Sequence, residues 1–267
     1  MPRVTATIDR WTQVAARAAE TGGTIVRDAG LHSGTSLAAK GLPGDYVTDV
    51  DLASEAAISA YLREATPDIP VHGEEGGGET GERYWVVDPL DGTTNFAHGF
   101  PAVGVSVALV ERGLPIAGSV CAPFLDTTYV AGRGEGCWAH RGDAEPVRLK
   151  VSDRPASRAV VATGFPFRRK ARLLQAYLIT MTAALARFED LRRPGAASLD
   201  LAWVAEGVFD GFFELALGPW DVAAGGLLIQ EAGGVVTDWG GGPAWMEGDI
   251  MAGPVAIHAE LLSLAIR

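Results

Sequence analysis

Two carboxylates stand three residues apart in YWVVDPLDGTTNF, residues 84–96. Tyr84–Val87 is an aromatic and β-branched run, which predicts a buried strand. Pro89 is expected to stop the strand ladder and to bias Asp88 toward extended backbone. Asp88 and Asp91 should therefore emerge where a loop on a rigid base carries chemistry. Two charges about 4 Å apart repel by roughly 4 kcal/mol at an effective dielectric near 20. Beside a buried strand that cost demands a shared proton or a cation. No lysine or arginine adjoins the pair, and the segment has no thiol or histidine at zinc spacing. Carboxylates with a backbone carbonyl nearby suit Mg²⁺ or Mn²⁺. The pair reads as a metal clamp.

Other acids have plainer alternatives. Glu74 and Glu75 sit in the glycine-rich HGEEGGGE, but no Lys-Ser/Thr pair follows, so this is not a nucleotide P-loop. DYVTDVD places Asp49 and Asp51 at the start of a helix, and GPWDVAAGG places Asp221 in the first turn of another. Helix capping and the helix dipole account for Asp51 and Asp221 taken singly. The five histidines show no ligand spacing, and packing or a local hydrogen bond is the reading for His98.

The elements that must position these acids follow from periodicity. Residues 5–28 keep helical spacing, residues 31–44 around Lys40 read as a mobile loop, and Leu52–Leu62 reads as a second helix. Val103–Val110, Ile116–Cys121, Thr128–Ala131 and Val147–Leu149 are short β-like runs between glycine and proline turns, which predicts an antiparallel sheet. Then the rhythm changes: strand Ala159–Thr163, helix Arg172–Arg187, helix Ser198–Ala205, strand Phe209–Leu215, helix Val222–Glu231. Gly233-Gly234 ends the last of these. Alternation of this kind predicts an α/β layer. We expect an N-terminal α+β lobe over 1–146 and a C-terminal α/β lobe over 147–267, packed as one unit.

The whole chain bounds the function classes. Its 267 residues are long enough for a large core, and 48% hydrophobic with 21% charged is ordinary for a soluble globular protein. Against 22 Lys and Arg stand 33 Asp and Glu, a net charge of −11, so neither nucleic acid nor an anionic membrane is expected as a partner. No signal-peptide pattern or apolar run of membrane-spanning length is evident. Cys121 and Cys137 are expected buried and reduced, and a cytoplasmic setting follows.

WVVDPLDGTTNFAHGFP closely resembles the signature of the inositol monophosphatase family. DYVTDVD resembles the family's first acidic motif, GEE its second, and GPWDVAAGGLLIQEAGG its C-terminal signature, in the same order. GSVCAPFLDTTYVAGRGEGCW and RRPGAASLDLAWVAEGVFDGFFE resemble intervening segments, so the likeness covers nearly the whole chain. The resemblance implies an α/β (α+β) fold, a layered α-β-α-β-α sandwich of the inositol monophosphatase and fructose-1,6-bisphosphatase type. It implies metal binding by Glu74, Asp88, Asp91, Asp221 and the Leu90 carbonyl. Gly92 and Thr93 match positions whose amides hold phosphate, and Thr93 and Asp51 match the pair that orients the attacking water. Glu74 joins that catalytic set. Ala197 and Glu214 match contacts to the polyol or sugar, with Asp91 and Asp221 also facing substrate, and Lys40 falls in a mobile loop over the site.

Four carboxylates and a phosphate dianion together carry about −6, which three divalent ions would neutralise. Two or three Mg²⁺ is what the resemblance implies, with Mn²⁺ as a substitute, lithium sensitivity and a homodimer. The activity implied is phosphomonoester hydrolysis by an activated water. Thr94 after the DGT triplet, where relatives acting on histidinol phosphate or 3′-phosphoadenosine phosphate often carry lysine, favours inositol phosphate. Gly218-Pro219 departs from the His-Cys pair of animal members. The alternatives are the same chemistry on histidinol phosphate, fructose 1,6-bisphosphate or 3′-phosphoadenosine phosphate, or a non-catalytic binding protein that keeps the fold.

Overall fold

The computed structural model describes residues 9–31, 38–39, 46–166 and 170–266. Among these, α1 (Arg10–Ala29) opens the fold, and the Asp9 carboxylate caps it by accepting the Trp11 N–H at 3.0 Å. Residues 5–8 of the expected helix lie outside the described residues, as does Lys40 with most of the expected loop. Within that loop span the described Ala38–Ala39 is strand β1, paired antiparallel with β2 (Tyr46–Val47). Helix α2 (Asp49–Ala65) runs three residues beyond the expected helix at each end, because Thr48 caps it and accepts the Val50 and Asp51 N–H groups.

β3 (Val71–Gly73) and β4 (Arg83–Asp91) follow, then the short α3 (Thr93–His98). β5 (Gly104–Glu111), β6 (Leu114–Ala122), β7 (Thr127–Gly132), β8 (Gly136–Arg141) and β9 (Val147–Arg148) continue the chain. β3 to β9 lie side by side in chain order, antiparallel except for the parallel β3–β4 pair. Pro89 does not stop β4, contrary to the expectation from its missing N–H. The strand runs through it to Asp91, with a register shift between Asp88 and Asp91. A bulge is where a strand tolerates proline.

The second half contributes β10 (Val160–Thr163), α4 (Lys170–Arg187), β11 (Asp190–Arg192), α5 (Ala197–Glu206), β12 (Gly211–Glu214) and α6 (Pro219–Glu231). β13 (Val235–Thr237), β14 (Ile250–Gly253) and α7 (Val255–Leu264) complete it. These strands form a sheet in the order β11-β10-β12-β14-β13, with β11, β10 and β12 parallel and the β14 pairings antiparallel.

Alternation along the strands sorts side chains into layers. Trp85, Val87, Val105 and Leu109 pack against α1 and α2, while Val86, Ala108 and Val110 point the other way, toward α5 and α6. In the second sheet Ala162, Phe212 and Ala252 face α5 and α6, and Val161, Phe213 and Met251 face α4 and α7. The result is the expected α-β-α-β-α sandwich. Cys121 and Cys137 are both buried free thiols, and burial pushes the Cys121 thiol up to about 11. No described helix is long and apolar enough to cross a membrane.

Candidate active site

Three acids from distant segments meet at one end of the first sheet. The Glu74 N–H donates to the Val87 carbonyl at 3.0 Å, which fixes Glu74 beside Asp88 just past the parallel β3–β4 pair. Asp221 enters from the first turn of α6, where one carboxylate oxygen accepts the Gly218 N–H at 2.5 Å. Glu74, Asp88 and Asp221 each present an oxygen, all within 4.8 Å of one another. Capping and site-building are thus joint roles of Asp221, since holding one oxygen at the helix start orients the carboxylate.

Asp88 is 1% exposed, and the Leu90 N–H donates to its Oδ1 at 3.0 Å. Burial first, then the charges of Glu74, Asp91 and Asp221, push its pKa well above the usual carboxylate range. A cation relieves both effects. Ligand oxygens on opposite sides of Mg²⁺ stand at most about 4.2 Å apart, so this all-oxygen trio fits a hard divalent ion with little closure.

Asp91 lies outside this tight trio but lines the same cleft. In an unbroken strand residues three apart point to opposite faces. Between Asp88↔Ser106 and Asp91↔Gly104, β4 takes three steps against two on β5, and the extra residue turns both acids to one cleft. Asp91 Oδ2 accepts two hydrogen bonds from α5, from the Ser198 N–H at 2.7 Å and the Ser198 hydroxyl at 2.6 Å.

Gly92 starts α3 at φ 90°, a left-handed conformation, and a Cβ there would stand 2.9 Å from the Ala102 carbonyl oxygen. Only glycine makes that turn without strain. Thr93 follows, its Oγ1 3.1 Å from Asp51 Oδ1 and 3.2 Å from the Leu90 carbonyl oxygen. Asp51 Oδ2 accepts the Thr48 N–H at 2.9 Å and the Thr48 hydroxyl. Asp51 therefore also combines a capping role with a contact to the site. It is buried and stands behind Thr93, outside the cleft lining.

The cleft has a volume of about 420 Å³. Glu74, Asp88, Leu90, Asp91, Gly92, Thr93 and Asp221 line it together with Ala197 and Glu214. Of the expected site residues, Lys40 alone lies outside the described residues. Residue-by-residue reading missed several contributors, among them Ser198 on Asp91 and Tyr46, Phe165 and Arg193 at the cleft, and it left out His98, which also lines the cleft. The Arg193 guanidinium stands 5.1 Å from the Phe165 ring centroid. Ser198 stands at a helix start, a signal for hydrogen bonding, but nothing local names Asp91 as its acceptor. Phe165 and Arg193 carry no local signal at all. Asp200, two residues past Ser198, is fully buried with Oδ1 unpartnered. Burial first, then the charges of Asp91 and Glu214, raise its pKa well above the usual range.

A family model described as the inositol monophosphatase family matches residues 7–266. The chain belongs to that family. A Neisseria meningitidis serogroup A protein named putative Nus factor SuhB is 43% identical over 82% of this chain and 84% of its own length. An inositol-1-monophosphatase of Rhizobium meliloti is 42% identical over 92% of this chain and 90% of its own. The crystal structure of extragenic suppressor protein suhB from Bartonella henselae superposes with a TM-score of 0.86 at 38% identity, covering 94% of this chain and 96% of the other. Membership in the inositol monophosphatase family carries phosphatase chemistry on a small phosphorylated substrate and a general dependence on metal.

Proposed function

We propose that this protein is a Mg²⁺-dependent phosphomonoesterase that hydrolyses inositol monophosphate or a similar small polyol or sugar phosphate. The observation that carries the reading is the convergence at one cleft of the Glu74–Asp88–Asp221 trio and Thr93, with Asp51 hydrogen-bonded behind Thr93. Glu74, Asp88, Asp221, Asp91 and the Leu90 carbonyl would hold two or three divalent ions. Bound there, such ions would neutralise phosphate charge and lower the pKa of a water near neutral pH. The Thr93 hydroxyl donates to Asp51 Oδ1. That leaves a Thr93 Oγ1 lone pair to accept a hydrogen bond from the attacking water and aim it, while Asp51 takes up proton density. Thr48 fixes Asp51 through its other oxygen, so this relay is oriented before substrate arrives. The Gly92 and Thr93 amides would grip phosphate, and Glu214 and Ala197 would meet the substrate's hydroxyl-bearing part. The working unit is a homodimer.

Relatives named as Nus factors bring a second reading, a role as a factor beside or in place of catalysis. A net charge of −11 directs such a role toward protein rather than nucleic acid. Phosphate release from inositol 1-phosphate, histidinol phosphate, fructose 1,6-bisphosphate and 3′-phosphoadenosine phosphate separates the enzyme reading from a factor role in place of catalysis. The enzyme reading expects release with Mg²⁺, preference for inositol 1-phosphate, loss with chelator and inhibition by Ca²⁺. No release from any of the four would sink it.

A further inference from the structure

The carboxylate of Asp91, a proposed metal ligand, is gripped by a side-chain hydroxyl from another layer of the fold. Ser198 stands in the first turn of α5, fully buried, and both its N–H and its hydroxyl donate to Asp91 Oδ2, at 2.7 and 2.6 Å. The space for that hydroxyl is made by a third element. Gly104 is the residue of β5 paired with Asp91, and a Cβ built on it would stand 2.7 Å from Ser198 Oγ. A residue without a side chain on β5, a hydroxyl on α5 and an acid on β4 thus form a single joint. We propose that Ser198 is a positioning residue for metal binding: it ties up Asp91 Oδ2 and turns Oδ1 to the cations.

Two donors on one oxygen settle which lone pairs remain for a cation. They also hold the carboxylate against rotation toward the crowded acids, at Asp88 above all, whose charges repel it. The first turn of α5 also carries Ala197, which lines the cleft. Through this joint the helix that bears a substrate contact sets the angle of a metal ligand on the other sheet. An alanine at 198 keeps the backbone donor and loses the hydroxyl, leaving Oδ2 half-held. Outer partners of metal ligands commonly govern affinity by 10-fold to 100-fold.

This inference rests on the metal-dependent reading above. Its test is calorimetric titration of the full-length protein with Mn²⁺, without substrate, for wild type, Ser198→Ala, Gly104→Ala and Asp91→Asn. Circular dichroism checks that each variant is folded. We expect Ser198→Ala to weaken Mn²⁺ binding about tenfold or more. Gly104→Ala should do likewise, because it keeps the hydroxyl but pushes it off Asp91. In assays Ser198→Ala should raise the Mg²⁺ concentration for half-activation while leaving the substrate KM unchanged. Its turnover should return to within about threefold of wild type at saturating Mg²⁺. A folded Ser198→Ala that binds Mn²⁺ within twofold of wild type, while Asp91→Asn does not bind, overturns the proposal and leaves the metal reading standing. Should Ser198→Ala not fold, wild-type affinity in folded Gly104→Ala overturns it equally. Wild type that binds no Mn²⁺ removes both.

Discussion

Asp88 and Asp210 are buried equally deeply, 1% and 0% exposed, in opposite chemical company. Asp210, between α5 and β12, is answered by the protein itself. Arg154 Nη1 donates to its Oδ1 at 2.7 Å together with the Ser152 hydroxyl, and the Val160 N–H donates to Oδ2 at 2.7 Å. Asp88 has the Leu90 N–H, and otherwise the charges of Glu74, Asp91 and Asp221. A buried carboxylate ringed by donors holds the fold together. One ringed by carboxylates is a site awaiting positive charge, because burial weakens the screening that would make the repulsion tolerable.

Neutralising each acid should therefore have opposite consequences. Asp88→Asn should lower Mg²⁺-dependent turnover by about a thousandfold or more, since it removes charge stabilisation in the transition state. Its metal-free melting temperature should rise. Steady-state kinetics and a melt in chelator check the pair of outcomes, and near-normal turnover would break the contrast at once. Asp210→Asn should lose about 2–3 kcal/mol of folding stability, because its charge-assisted hydrogen bonds weaken. Turnover per folded molecule should stay near wild type, as urea unfolding alongside kinetics would show.

Glu214 tests the ground between the two. It is buried and lines the cleft, outside the metal trio. Glu214→Gln should cost about tenfold in kcat/KM on inositol 1-phosphate, the worth of a hydrogen bond to a charged acceptor. An aryl phosphate without hydroxyls should be hydrolysed almost as before, with Mg²⁺ affinity unchanged. Equal losses on both substrates would move Glu214 into the metal site.

The smallest effect is a pH dependence. The Asp88 pKa is raised in the folded state, so at mildly acid pH the folded form keeps a proton that the unfolded chain has released. Its contribution to metal-free stability is highest below the unfolded value of 3.8 and is lost as pH rises toward the folded value. Asp200 adds a contribution of the same sign. Melting in chelator should thus show wild type losing stability relative to Asp88→Asn as pH rises from 5 to 8. Mg²⁺ should raise the wild-type melting temperature more at pH 8 than at pH 5, because cation and proton compete for the same carboxylates. A wild-type minus variant difference that is flat with pH would mean that Asp88 is not the raised group.

Much of this was legible in the order of the residues. Helices α5 and α6 and the strands β5, β6, β7 and β9 were legible to within three residues at their ends, α6 with its glycine stop, while β8 in the same meander was not. β13 and β14 carried no signal that was read from the sequence, and they find their place by pairing with neighbours. The same division runs through the site. Asp88 and Asp91 are visible as carboxylates crowded beside a strand and Asp221 as an acid in a first helical turn, whereas Gly92 and Thr93 are assigned only through the family resemblance. Local rules run along the chain within a few residues, so the sequence by itself determined which segments bear chemistry and the sign of the charge they need. Tertiary structure decided which acids come within reach of one another, because Glu74 and Asp221, 147 positions apart by their numbers, meet only when α6 packs between the sheets. It also decided that Ser198 grips Asp91 across 107 residues, through a gap left by Gly104. Contact geometry of that kind depends on backbone placement to a fraction of an ångström, and no local pattern encodes it.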